Sequence, residues 1–412
     1  MTTLTASATL AYSCPGTVTI TSLVDPVAKL DVDAQVRVNG PVTGLTIAEI
    51  ETVAIRVPLA RTFHGSAYKM THRSTIITRI RTEEGVVGEA YCGDEDAGLH
   101  EIDAIIRTEI APRLIGEDAF RVERCWELAR PATFDILRDR RVGLVATACV
   151  DAAIWDAIGK SLGQPLHRLW GGYRESLPVI TIGGYYGTQD IAAEVAGLRD
   201  RGLAGMKFKV GGLTPEEDAA RFRTARAAAG PDFVLCADAN QAWTPGEAIR
   251  FARLVEDLDL YWFEEPCVWS NDRRAMRDVR FAAGVRICAG QSEFSAGGCR
   301  DLMVDGAIDF CNLDSSWSGG VTEWRRVAAA AVAFDVAMAH HEEPQIAAHL
   351  LASIPHGTFL EVFSAERDPI WWNLVANRSP IVDGSMALPT APGLGWELDA
   401  DYIEAHRVSP RS

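Results

Sequence analysis

The sequence predicts an α/β chain: a parallel βα barrel, TIM-like, carrying an N-terminal α+β capping domain. Three observations lead there. Through the second half of the chain, short apolar runs alternate with helical patterns. Six of those runs end on an ionisable or amide residue (Asp238, Glu264, Gln291, Asp314, His341, Glu361) at intervals of about 20 to 27 residues, one strand-plus-helix unit each. Ahead of them, Gly205-Met206-Lys207-Phe208-Lys209-Val210-Gly211 reads as a buried strand with both lysines on one face.

The chain has 412 residues, which suits two domains better than one core. Its 48% hydrophobic and 23% charged residues are those of a soluble globular protein. A formal charge of −16 argues against nucleic acid and anionic membrane as partners, though not against a small anion met by local lysines. The nine cysteines are scattered, with no C-x-x-C pair, and read as reduced core residues. The first residues show no basic region followed by an apolar one, and no apolar run is expected to reach membrane-spanning length, so a cytoplasmic location is expected.

Taken in order, residues 1–44 form an N-terminal extension rich in Thr, Ala and Val, with no assignable task. Residues 45–172 form the α+β cap. Ile47 to Val57 alternates as a strand, and Ser74 to Thr82 with Val86 to Tyr91 makes a hairpin about Glu83-Glu84-Gly85. Between them lies a polar, aromatic loop, Arg61 to Met70, which suits a substrate-covering flap as well as it suits a plain surface loop. Val142 to Ser161 is helical, with Ala148, Ala152, Trp155 and Ile158 on one stripe, and Gly163 stops it. Residues 173–388 form the barrel, beginning with the strand Leu177 to Ile182. Residues 389–412 are a C-terminal segment returning toward the cap.

In a parallel barrel the C-terminal ends of the strands converge on one mouth. Two ammonium groups enclosed there repel each other and resist burial, so at least one of Lys207 and Lys209 is expected to have a lowered pKa and to serve as a base. Taken singly, Asp238 could cap a helix, Glu264 could pair with a surface cation and His341 could be a hydrogen-bonded core residue. Six such strand ends in succession are harder to explain that way. Buried carboxylates need a cation, and Asp238, Glu264 and an oxygen of Gln291 are the hard donors that Mg²⁺ prefers.

At this point the motifs resemble a known family over roughly Leu45 to Glu404. They are K-x-K at Lys207/Lys209, D-x-N at Asp238/Asn240, W-F-E-E-P at Trp262 to Pro266, A-G-Q-S-E at Ala289 to Glu293, the Asp314 to Gly320 run, the His341 to His349 run and the Glu361 strand. The chain resembles the enolase superfamily, in its mandelate racemase subgroup (the mandelate racemase/muconate lactonizing enzyme family). The resemblance implies Lys209 as a base on one substrate face, with Lys207 beside the substrate carboxylate. It implies His341, oriented by Asp314, on the other face, Glu361 as an acid on that carboxylate, and Asp238 and Glu264 as Mg²⁺ ligands. The third ligand position is usually Glu and is here Gln291, unless Glu293 turns inward to replace it.

These groups suit abstraction of the proton α to a carboxylate through an enediolate. The first expectation is a Mg²⁺-dependent lyase that dehydrates a sugar acid or related hydroxy acid. The alternatives are an isomerase (racemase, epimerase or cycloisomerase) on a similar carboxylate, and a metal- and carboxylate-binding member without turnover. Substrate contacts are expected from Asn240 and, through the cap, from His64, Ser66, Tyr68 and Arg73. Tyr185, Trp317 and Trp371 are candidate pocket walls. The expected partners are a small carboxylate substrate and further copies of the chain in a homo-oligomer.

Overall fold

The computed structural model of the chain describes residues 44–93 and 97–408. The extension predicted at 1–44 lies outside the described residues but for Gly44. The first strands form a three-stranded antiparallel sheet of β1 (Ile47–His64), β2 (Lys69–Thr82) and β3 (Val87–Cys92), in that order. The β2–β3 turn closes with Gly85 N donating to Thr82 O (3.0 Å) and Gly85 at φ +84°, a conformation glycine adopts without a Cβ penalty.

The expected loop at 61–70 is instead the tip of a long hairpin. Pairing resumes beyond an irregularity at Pro58 and runs on to Phe63↔Met70 and His64↔Lys69. Its polar, aromatic composition and its glycine suggest a loop, but Phe63 is buried against Ile182, Tyr185 and Phe363, and that tertiary contact extends the strand.

The long cap helix, Arg140–Ser161, begins at Asp139, whose side chain accepts from Arg141 N. Its single apolar stripe gives way to burial on nearly every face, because it is sandwiched behind the sheet. A Cβ on Gly88 of β3 would run into the Ala153 carbonyl, so the close packing of helix on strand requires glycine there. This helix also corrects the expectation that no apolar run reaches membrane-spanning length. At 22 residues it is long and apolar enough, but 89% of its most apolar window is buried inside the protein.

Eight parallel strands follow: β4 (Ser176–Gly183), β5 (Gly205–Lys209), β6 (Val234–Asp238), β7 (Leu260–Glu264), β8 (Ile287–Ala289), β9 (Phe310–Cys311), β10 (Ala337–Met338) and β11 (Leu360–Glu361). Neighbours in sequence pair from β4 to β10. The ring closes through β11 on β4 (Leu360↔Val179, Glu361↔Ile180) and a Met338–Gly357 bridge. Helices fill the intervals. Two begin alike, at Thr214-Pro215 and Thr244-Pro245, each with a reciprocal capping box to Glu217 or Glu247. Ile180, Cys236, Trp262, Cys288, Phe310 and Ala339 plug the barrel interior below the mouth.

Cap and barrel are stitched at several points. Asp151 of the cap helix accepts from Thr322 N (2.9 Å) and Oγ1 (2.7 Å), and Trp126 Nε1 donates to Gly319 O (2.7 Å). At the C-terminal end, Val408 N donates to Ala54 O of β1 (2.9 Å). The eight described cysteines are buried with free thiols.

Candidate active site

Strand β5 sorts its side chains by face. Met206 and Phe208 face the helical layer, where Phe208 meets Phe222 edge-on at 5.9 Å, while Lys207 and Lys209 point into the barrel. Lys209, Asp238 and Glu264 are direct register partners across β5, β6 and β7, so they form one row at the mouth. Lys207 Nζ donates to Glu264 Oε1 (2.7 Å) and forms an ion pair with Glu361 Oε1 (2.7 Å). Lys209 Nζ donates to Asp238 Oδ2 (2.6 Å) and to Asn240 Oδ1 (3.0 Å).

The pairing overturns the expectation of a lowered lysine pKa. Burial acts to lower both, but Glu264, Glu361 and Asp238 around Lys207, and chiefly Asp238 at Lys209, outweigh burial and the repulsion between the two lysines. Both ammoniums are held well above the usual range. The sequence shows the two lysines on one face but not that three carboxylates surround them.

Asp238 is held below its ordinary range, because Lys209 and Lys207 outweigh its burial. At Glu264, burial, opposed by Lys207 and reinforced by Asp238 and Glu361, pushes the carboxyl up to about 8. Ionising all three carboxyls against two ammoniums would leave one negative charge over, which is why Glu264 is pushed up and why the site suits a further cation. Asn312 Oδ1 accepts the Gln291 backbone N–H (3.1 Å), so Asn312 Nδ2 is the donor to Gln291 Oε1 (3.2 Å). One lone pair of that oxygen is left. Two carboxylates and an amide oxygen fit Mg²⁺, which keeps several waters and needs few protein ligands. Among the described residues no group of three or more His, Cys, Asp and Glu is set to hold a metal, so such a site rests on the amide as third donor. Glu293 turns aside toward Arg273 (3.9 Å) and the start of the helix Ala296–Val304.

The opposite wall comes from the ends of β9 and β10. Asp314 Oδ2 lies 2.9 Å from His341 Nδ1, and its Oδ1 accepts from Ser316 N (2.8 Å) and Oγ (2.6 Å). The Trp317 ring lies 4.8 Å from the imidazole, with the Arg141 guanidinium behind it at 3.7 Å. Burial disfavours the imidazolium, but Glu342 and then Asp314 outweigh it, and the His341 pKa is raised. Its neighbour His340 is lowered by burial, and its Nε2 lies 2.8 Å from Ser315 Oγ.

Of the residues expected to meet substrate, Asn240 is at the mouth, its N and Nδ2 on Asp238 (2.9 and 3.2 Å) and its backbone at φ +45°. The hairpin tip brings Ser66 there, donating to Ala239 O (3.0 Å), and sets the Tyr68 ring 5.7 Å from Lys209 Nζ. His64 is exposed at the end of β1, bound through its backbone to Tyr186. Arg73 is not open to a ligand. It is buried among Glu342 (2.9 Å), Glu343 (3.5 Å) and Asp368 (3.5 Å), because it leaves β2 toward the loops after β10 and β11. Tyr185 packs edge-on against Phe63 beside the mouth (5.1 Å). Trp371 belongs to the core, against Trp396 (5.3 Å). Sequence reasoning missed Asn312, two residues before Asp314, and Glu342, which directly follows His341.

A family model described as "Mandelate racemase / muconate lactonizing enzyme, N-terminal domain" matches residues 47–171, and one described as "Enolase C-terminal domain-like" matches residues 190–402. The chain is 31% identical to a 3,6-anhydro-alpha-L-galactonate cycloisomerase of Streptomyces coelicolor, over 87% of this chain and 98% of that one. It is 30% identical to the L-talarate/galactarate dehydratase of Salmonella typhimurium, over 84% and 86%. A mandelate racemase/muconate lactonizing enzyme from a marine actinobacterium, solved in complex with magnesium, superposes with a TM-score of 0.85 at 56% identity, over 89% of this chain and 100% of that one.

Proposed function

The chain belongs to the mandelate racemase/muconate lactonizing enzyme family of the enolase superfamily, and from that premise we propose that it is a Mg²⁺-dependent dehydratase of a sugar acid or related hydroxy acid. The observation that carries the reading is a pair of titratable groups at the strand ends, Lys209 on β5 and His341 after β10, the second with its pKa raised by the carboxylates of Glu342 and Asp314 against its burial. A racemase needs a histidine that can also take a proton, whereas a leaving hydroxyl needs one that gives it.

Asp238, Glu264 and the Gln291 amide oxygen would hold the metal, as the magnesium complex of the actinobacterial relative and the charge balance of the site support. When bound, Mg²⁺ supplies a Lewis acid for the substrate carboxylate and draws the charge of Asp238 and Glu264 away from the lysines. Lys209 Nζ, as the free amine, takes the proton from the α-carbon. Lys207 Nζ and Glu361 bind the carboxylate oxygens on which the charge gathers. His341 Nε2 gives its proton to the β-hydroxyl, the C–O bond breaks and water leaves. The resulting enol tautomerises to a 2-keto-3-deoxy acid. Asp314 keeps the imidazole in place throughout. Tyr68 and Ser66 at the hairpin tip cover the mouth. Eight buried free thiols support a reducing, cytoplasmic compartment.

The cycloisomerase name of the Streptomyces relative favours a second reading, in which His341 gives its proton to a ring or lactone oxygen instead. Aldonic, aldaric and anhydro-sugar acids, incubated with Mg²⁺ in D₂O, separate the two by the mass of the product, deuterium aside: a keto acid lighter by one water, or an isomer of unchanged mass. If no acid exchanges its α-proton or loses water, the proposal fails.

A further inference from the structure

His341 has a second carboxylate. Asp314 faces Nδ1, and Glu342 Oε1 lies 3.4 Å from Nε2. Glu342 is the next residue in the chain, and an extended backbone would send its side chain the other way. Instead Glu342 and Glu343 both adopt left-handed backbone, at φ +52° and +50°, uncommon for such residues in succession and characteristic of functional sites. The kink is secured from both sides. Glu342 N donates to Glu361 Oε2 (3.2 Å), and Glu342 Oε2 accepts from Arg73 of the cap (2.9 Å), with Arg367 at 3.9 Å from Oε1.

We infer that Glu342 is a positioning residue for His341, a carboxylate aligned by the cap arginine Arg73 that completes a two-carboxylate clamp and keeps a proton on Nε2. The inference rests on the reading of His341 as the acid. With Asp314 at Nδ1 and Glu342 toward Nε2, the form the two charges favour is the imidazolium, with hydrogen on both nitrogens. Other titratable groups stand around the ring: His340, whose own pKa burial lowers, precedes it in the chain, and Glu361 accepts from Glu342 N. Lys207 from β5 repels the imidazolium, while Arg73 and Arg367 stand behind Glu342 and partly neutralise it. Arg141 stands behind Trp317. The substrate hydroxyl must take the place that Glu342 Oε1 holds at Nε2, and Arg73 offers Glu342 a partner when it withdraws. Since Arg73 belongs to β2, cap placement and the proton on His341 are linked.

The test measures the His341 titration directly, by ¹³Cε1 NMR of histidine-labelled protein with Mg²⁺ and no substrate, assigned by His341→Asn. Glu342→Gln keeps the shape and removes the charge. Its His341 midpoint should fall by about one pH unit or more, and the alkaline limb of kcat/KM should shift down equally. Glu342→Asp keeps the charge and should retain most of the elevation. Exchange of the α-proton in D₂O, the task of Lys209, should stay within a few-fold. A midpoint in Glu342→Gln within about 0.2 units of the parent overturns the inference, whatever the turnover. Absence of dehydration in the parent with the midpoint shift present overturns the functional reading and leaves the clamp standing. Unchanged thermal unfolding of both variants guards against a folding defect.

Discussion

Replacing Asp314 by Asn tests the His341 wall most sharply, because the structure dictates how the new amide must lie. Asp314 Oδ1 accepts from Ser316 N and Ser316 Oγ, and only an oxygen can keep those two bonds. The amide nitrogen is therefore turned onto His341 Nδ1, which must give up its hydrogen and become an acceptor. The neutral Nε2–H tautomer results, a very weak acid. Two effects add. At 2.9 Å a full pair of charges is worth about 6 kcal/mol at an effective dielectric of about 20, an upper bound. An opposite charge this near shifts a pKa by about 1 to 3 units, about 1.4 to 4 kcal/mol. With the wrong tautomer included, kcat for dehydration should fall by about 10² to 10⁴, the usual contribution of general acid catalysis. The assays are steady-state kinetics and ¹⁵N NMR of the imidazole, which distinguishes the tautomers. A variant within threefold of the parent rate, or one whose Nδ1 still carries the hydrogen, would refute the reasoning.

Three further outcomes are expected. EDTA should abolish turnover and Mg²⁺ restore it, and Asp238→Asn should fail to bind Mg²⁺ in calorimetry; full activity of metal-free protein would dispose of the metal site. Gln291→Glu should tighten Mg²⁺ by roughly tenfold, about 1.4 kcal/mol, since Glu keeps an acceptor for Asn312 and adds a charge, whereas Glu293→Gln should leave affinity within a factor of two. The reverse pattern would move the ligand to Glu293. Lys209→Ala should lose exchange of the α-proton in D₂O, while His341→Asn keeps it and loses only water elimination; exchange surviving in Lys209→Ala would mean that another group is the base.

The barrel was legible because its signal is repetitive. Strands only two or three residues long, such as Phe310–Cys311, carry little pattern of their own, but the polar residue after each one recurs at the period of a strand and a helix. Phe63 and His64 were not legible as strand, since what extends β1 is the barrel surface that Phe63 meets. The wrong direction for the lysines has a related cause: alternation places Lys207 and Lys209 on one face, whereas their protonation depends on carboxylates of other strands, Asp238 at Lys209 and, at Lys207, Glu264 and Glu361, the last more than 150 residues away in sequence and adjacent only once β11 closes on β4. Glu342 left no trace because nothing in its neighbours announces a left-handed backbone, which glutamate rarely adopts. Arg73 could be read as a cap residue near the mouth, but not as one already engaged by three carboxylates.

The row formed by Lys209, Asp238 and Glu264 has a consequence for how this scaffold can change. Adjacent parallel strands stand about 4.8 Å apart wherever their ladder is intact, so the spacing of these three groups is a property of backbone hydrogen bonding rather than of any loop. Loops and outer helices can lengthen, shorten or be exchanged without altering that ruler. A single-residue insertion inside β6 would turn Asp238 to the other face and dismantle the row at once. Drift in the connecting segments is therefore cheap, and drift in register is lethal to the site.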